Sequence, residues 1–99
     1  MKRIRLTRKG FREWLERIPG DACVGYPGHP RQCPVARYLC YIDVELPEVE
    51  RDTFKPFWGK PRPLPKWAKR FVKEIDYAPD IITARQALAV LDGKDKADA

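Results

Sequence analysis

The densest chemistry in the chain lies in residues 54–75, FKPFWGKPRPLPKWAKRFVKEI. Seven cations, Lys55, Lys60, Arg62, Lys66, Lys69, Arg70 and Lys73, precede its first acid, and five aromatics are threaded among them. At 100° per residue, Lys66, Lys69, Arg70 and Lys73 share one narrow helix face, opposite Ala68, Phe71, Val72 and Ile75. Lys60 and Arg62 arrive just upstream on a segment stiffened by Pro56, Pro61, Pro63 and Pro65. A row of cations suits phosphates, because each neutralised phosphate releases a condensed counterion. Trp58 and Trp67 are candidate stacking partners for bases. Against this stands a plainer account: every amphipathic helix needs a charged outer face, and aromatics in a proline-rich segment commonly pin it to the core. The run KPRPLP also has the form of a polyproline ligand for SH3-type grooves.

A second candidate is a thiol. Cys33 immediately precedes Pro34, which puts its sulfur at a helix N-terminus, where the dipole favours thiolate. His29 lies four residues earlier on a glycine- and proline-hinged loop and is placed to act as its base. The opposing account makes Cys33 a helix cap or a packed apolar group. Cys23, His29, Cys33 and Cys40 together form a weak candidate zinc set, because the spacing C-x5-H-x3-C-x6-C lacks the C-x2-C knuckle. Asp43, Glu45, Glu48, Glu50 and Asp52 alternate loosely. They read as an exposed face answering the basic blocks rather than as a metal or acid–base site. GYPG is not a phosphate loop, since Gly-x4-Gly-Lys-Ser/Thr is absent.

Four helices must position these groups. The first is capped by Thr7, buries Phe11, Trp14, Leu15 and Ile18, pairs Arg12 with Glu16 and Glu13 with Arg17, and ends at Pro19-Gly20. The second starts at Pro34, suited to the first helical position, and ends before Pro47 with Val35, Ala36, Leu39, Cys40 and Ile42 inward. The third runs from about residue 65 to 76, and YAPD then breaks the chain. The last opens on the capping box Thr83-x-x-Gln86, buries Ala87, Leu88 and Leu91, and has Gly93 at its C-terminal cap. Residues 22–26 suggest a short strand, RIRL a strand or extended arm, and residues 43–52 an extended or irregular path. The expected fold is mainly α with at most a small β-sheet or hairpin, the alternative being α+β. It forms one domain over residues 1–93, followed by a frayed tail at 94–99.

Composition bounds the rest. With 43% hydrophobic residues, the 99-residue chain can bury a core of its own. No apolar run approaches the roughly 20 residues that span a bilayer, so no membrane partner is expected. Three irregularly spaced cysteines are not a secreted disulfide framework, and MKRIRLTRKG leads into no apolar core, so the expected compartment is the cytoplasm. The net charge of +6 is distributed in blocks, +5 over residues 1–20, −4 over 41–54 and +7 over 55–73. Such blocks speak to partners. KRIRLTRK would extend the basic surface if the fold brings it alongside. A helix-turn-helix is disfavoured, since KDKADA is too short and polar for a recognition helix.

The expectation is a small, basic, non-catalytic binding protein without a cofactor. It docks on nucleic acid or a nucleoprotein complex through Lys60, Arg62, Lys66, Lys69, Arg70 and Lys73. The alternative is an adaptor or inhibitor that binds an acidic protein surface, and a third reading is redox or nucleophilic chemistry at Cys33.

Overall fold

Caps and apolar spacing account for each helix. The computed structural model describes residues 5–26, 28–76 and 81–93. In α1 (Arg8–Glu16), the Thr7 hydroxyl accepts from the Gly10 N–H at 3.1 Å, and the helix buries Phe11 and Leu15. Arg12 pairs with Glu16 at 2.7 Å as expected, whereas Arg17 donates to the Tyr41 hydroxyl at 3.3 Å. In α2 (Pro34–Tyr41), Pro34 takes the first position, where no N–H is needed. Its buried stripe runs through Val35, Tyr38 and Leu39, at i, i+3 and i+4. Cys40, expected inward, is exposed, because Tyr38, on the opposite side of the helix, is the one turned in against Phe11. In α3 (Lys66–Ile75), Ala68, Phe71, Val72 and Ile75 are all buried. In α4 (Ala84–Leu91), the Thr83–Gln86 capping box forms in both directions.

The core centres on Phe11. Its ring lies 5.0 Å from Phe71, 5.5 Å from Tyr38, 5.5 Å from Trp67 and 5.8 Å from Trp14, centroid to centroid. One aromatic cluster thus joins α1, α2 and α3, and α4 packs on α1 and α3. Such ring pairs each add about 0.5–1.5 kcal/mol beyond area burial.

Among the described residues there are also five short strands: β1 (Cys23–Gly25), β2 (Glu48–Val49), β3 (Thr53–Lys55), β4 (Arg62–Pro63) and β5 (Ile82–Thr83). They form two antiparallel sheets, β1-β5 and β2-β3-β4. The sequence reading allowed at most one small sheet. The second appears because the acidic segment and the proline-rich segment pair with each other through β3, in the register Val49↔Phe54↔Arg62. Pro63 lacks an N–H and sits where it is tolerated, on the edge strand. Gly25 is required by close approach: a Cβ there would stand 2.6 Å from the Gln32 carbonyl oxygen and 2.7 Å from the Pro34 nitrogen.

The result is one compact, helix-rich body with strands, which fits α+β as well as mainly α. Its radius of gyration is 12.6 Å, against about 13 Å expected for a single domain of this size. Among the described residues no helix is long and apolar enough to cross a membrane. The YAPD break and the 94–99 tail lie outside the described residues, as do the first two residues of RIRL.

Candidate anion-binding cleft

α3 and the turn between β2 and β3 face each other across a cleft of about 640 Å³. Lys66, Lys69, Arg70 and Lys73 form one wall, Arg51 and Asp52 the other, and Asp76 closes the end. The amphipathic pattern of α3 positions the first wall, since burying Ala68, Phe71, Val72 and Ile75 turns the cations outward. The hairpin positions the second. The Glu50 N–H donates to the Thr53 carbonyl at 2.8 Å and the Leu64 N–H to the Asp52 carbonyl at 2.9 Å, which fixes the turn beside the helix.

Five cations and two carboxylates line the cleft. The acidic segment therefore does reach the basic row, through Asp52. Even so, among the described residues no ion pair joins Lys66, Lys69 or Lys73 to any carboxylate. All three lysines are exposed.

Arg70 differs from the lysines beside it. Its Nη2 donates to the Gly93 carbonyl at 2.8 Å, and its Nε to Glu74 at 3.4 Å. It holds the end of α4 as well as lining the cleft. Arg8 meets it there: Arg8 and Arg70 line the same shallow hollow, and Arg8 donates to the Leu91 carbonyl and to Asp92. Arg8 of the first basic block and Arg70 of the second thus border one hollow, around the C-terminus of α4. Asp92 also takes two hydrogen bonds from Arg12, and these hold its carboxyl below the ordinary carboxylate range.

Lys60 and Arg62 lie outside the cleft lining. Lys60 is exposed, and the Arg62 guanidinium carbon lies 5.8 Å from the centre of the Trp58 ring. The two candidate stacking residues separate cleanly. Trp58 is exposed, whereas Trp67 packs on Phe11 and contributes to the core.

The thiol candidate changes character. Cys33 is buried, and its sulfur accepts from the Ala36 N–H at 3.4 Å, so it caps α2. The helix terminus does act on it, since backbone N–H groups favour the thiolate. Burial outweighs them and pushes the thiol up to about 11. The expected activation is therefore reversed. No hydrogen bond joins the His29 ring to Cys33 among the described residues. The ring lies edge-on to Tyr26 at 6.1 Å. His29 and Cys33 line a hollow of about 160 Å³ that shares Arg51 and Asp76 with the cleft, so two regions separate in sequence are neighbours in space.

The zinc set is not assembled. Cys23 donates to the Gly25 carbonyl at 3.5 Å, Cys33 is buried under α2, and Cys40 is exposed on its outer side. Among the described residues no three His, Cys, Asp or Glu side chains converge as metal ligands.

Sequence reasoning missed Arg51, a lone cation in an acidic run. The available signal was its place at the tip of VERDTF, a polar turn between two apolar residues that pair across β2 and β3. It also missed Asp76, which follows α3 directly. No protein-family model matches the chain, and neither does any curated protein or solved structure.

Proposed function

We propose that this chain is a non-catalytic docking module that holds the phosphate backbone of a nucleic acid, free or within a nucleoprotein complex, in the cleft between α3 and the β2–β3 turn. One observation carries the reading: Lys66, Lys69 and Lys73 stand exposed on one helix face, opposite Arg51, with no ion pair among the described residues. They span about 10 Å of helix axis at 1.5 Å per residue. Charges left unpaired in a protein that pairs many others are available to an external anion. Asp52 and Asp76 narrow the cleft and favour a ligand that lies along the lysines over one that enters the closed end. A cytoplasmic setting goes with this reading, because all three cysteines are free thiols.

The test is a titration with a fluorescent 12-nucleotide strand at 50 and 200 mM salt. Four cations engaged by a single strand give a slope of about −0.7 per phosphate, so affinity should fall roughly 50-fold between the two conditions. Absence of binding at 50 mM, or indifference to salt, overturns the proposal.

A further inference from the structure

Leu46, Phe57 and Trp58 are 55%, 62% and 45% exposed, and they lie at one end of the three-stranded sheet. The pairing of β2 with β3 continues past Glu48↔Lys55, because the Phe57 N–H donates to the Glu45 carbonyl at 3.0 Å. Phe57 is thereby tied to Glu45, the residue next to Leu46. Beneath them Pro47 and Pro56 are fully buried, so the backbone under the patch is anchored. The turn carrying Trp58 is tight: the Gly59 N–H donates to the Pro56 carbonyl at 3.2 Å, and a Cβ on Gly59 would meet the Pro56 ring at 2.8 Å. Leu46 holds a left-handed backbone (φ 40°) that disfavours any side chain, yet presents a large apolar one to solvent. Strain combined with exposure marks a surface kept for contact.

The patch is cationic at its edge, and the chain leads from it along β4 to the lysine row. Arg62 sits over the Trp58 ring, and among the described residues no aromatic ring lies against Trp58. Lys60 is exposed on the same segment. From there residues 61–65, stiffened by three prolines and held by β4, lead directly into Lys66. Along the chain the exposed rings of Phe57 and Trp58 are thus followed by the cations Lys60, Arg62 and Lys66.

Resting on the reading above, we infer that the ligand is single-stranded, and that its bases stack on Trp58, backed by Arg62, and on Phe57 while its phosphates follow Lys66, Lys69 and Lys73. A duplex keeps its base faces inside the stack and offers nothing to a flat ring. A single strand exposes them, and each base has a π-face, so such a surface binds without regard to sequence. An arginine on one indole face orients the ring and adds a cation–π contact.

The experiment separates this from the electrostatic reading by comparing three probes on the full chain: a (dT)12 strand, a 12-residue abasic strand with the same phosphates, and a 12-base-pair duplex. The (dT)12 strand should bind at least about 10-fold tighter than the abasic strand, the effect of one or two stacked bases. Trp58→Ala should abolish that preference by weakening (dT)12 far more than the abasic strand, and Phe57→Ala should reduce it. Both side chains are exposed, and unchanged circular dichroism will verify folding. Equal binding of (dT)12 and abasic strands by the parent, or equal losses on both in Trp58→Ala, overturns base stacking and leaves the lysine cleft standing. Binding of none of the three probes, with the patch instead burying itself in a dimer or against an acidic peptide, overturns both.

Discussion

Lys69 and Arg70 are adjacent in sequence and carry the same charge, yet their removal should have opposite consequences. Lys69 is exposed and makes no ion pair among the described residues, so Lys69→Ala should leave stability within about 0.5 kcal/mol of the parent. On a single strand it should remove about 0.7 from the salt slope, which at 0.1 M salt corresponds to roughly 5-fold weaker binding. Arg70 is committed to the fold through Gly93 at 2.8 Å and Glu74 at 3.4 Å. A charged hydrogen bond contributes about 1.5–3 kcal/mol. With 39% of the Arg70 side chain exposed, the lower end of that range applies. The i,i+4 pair with Glu74 adds a few tenths. Arg70→Ala should therefore cost about 1.5–2 kcal/mol, lowering the melting temperature by roughly 6–15 °C for a domain of this size. Its salt slope should move less than half as far as that of Lys69→Ala, because the guanidinium is already occupied. Thermal melts followed by circular dichroism read the first quantity. Anisotropy titrations across 50–200 mM salt, at a temperature where both variants are folded, read the second. The reasoning fails if Arg70→Ala melts with the parent while its slope falls as far as that of Lys69→Ala.

Limiting iodoacetamide at pH 7.5, followed by peptide mass spectrometry, should label exposed Cys40 first and buried Cys33 last. In a Cys40→Ser background, Cys33 should react appreciably only as pH rises toward about 11; rapid labelling at neutral pH would restore the case for a reactive thiol. Asp92→Asn should lower the melting temperature by a few degrees at pH 7. The carboxyl is depressed by Arg12 and Arg8, so its contribution is complete above the ordinary value of 3.8 and is lost as pH falls through the lower folded value. The gap between parent and variant should therefore close in acid, and a gap that persists to pH 2 contradicts the role given to this carboxylate.

The helices were legible because their causes are local. Thr7, Pro34 and the Thr83–Gln86 box each lie within one turn of the backbone they satisfy, and the inward positions of α3 repeat at i, i+3 and i+4. The sheets were not legible for the opposite reason. β2, β4 and β5 are two residues long, too short to display alternation, and β5 pairs with β1 across about sixty residues of chain. Half of the cleft follows the same rule. Its lysine wall could be drawn from the sequence, whereas Arg51 enters only because residues 48–55 form a hairpin beside α3. Trp58 and Trp67 look equivalent as letters in a basic, proline-rich run. They part only when Phe11 claims Trp67.

The division between arginine and lysine in this fold bears on how its charge should be counted. Among the described residues each ion pair has arginine as its cation: Arg8 and Arg12 on Asp92, Arg12 on Glu16, Arg31 on Glu48, Arg70 on Glu74 and Arg85 on Asp21. Arg37 and Arg62 lie over Tyr26 and Trp58. A planar fork with five donors suits these fixed, multi-acceptor or stacked roles, whereas an ammonium on a flexible stem stays hydrated and exchanges partners readily. A net charge of +6 therefore understates the difference between the two kinds of cation. Much of the arginine is absorbed into holding helices and turns together, above all the end of α4. Lys66 and Lys69 do nothing for the fold that a neutral residue could not do, whereas Lys73, in the last turn of α3, also complements the helix dipole. A helix of this amphipathicity would fold with glutamates on half of that face, and with Asp52 and Asp76 in the same cleft the lysines are not there to relieve an excess of acid. On the proposed function, their unmixed sign answers to a phosphate-bearing partner, which would recognise the exposed lysine face rather than total basicity.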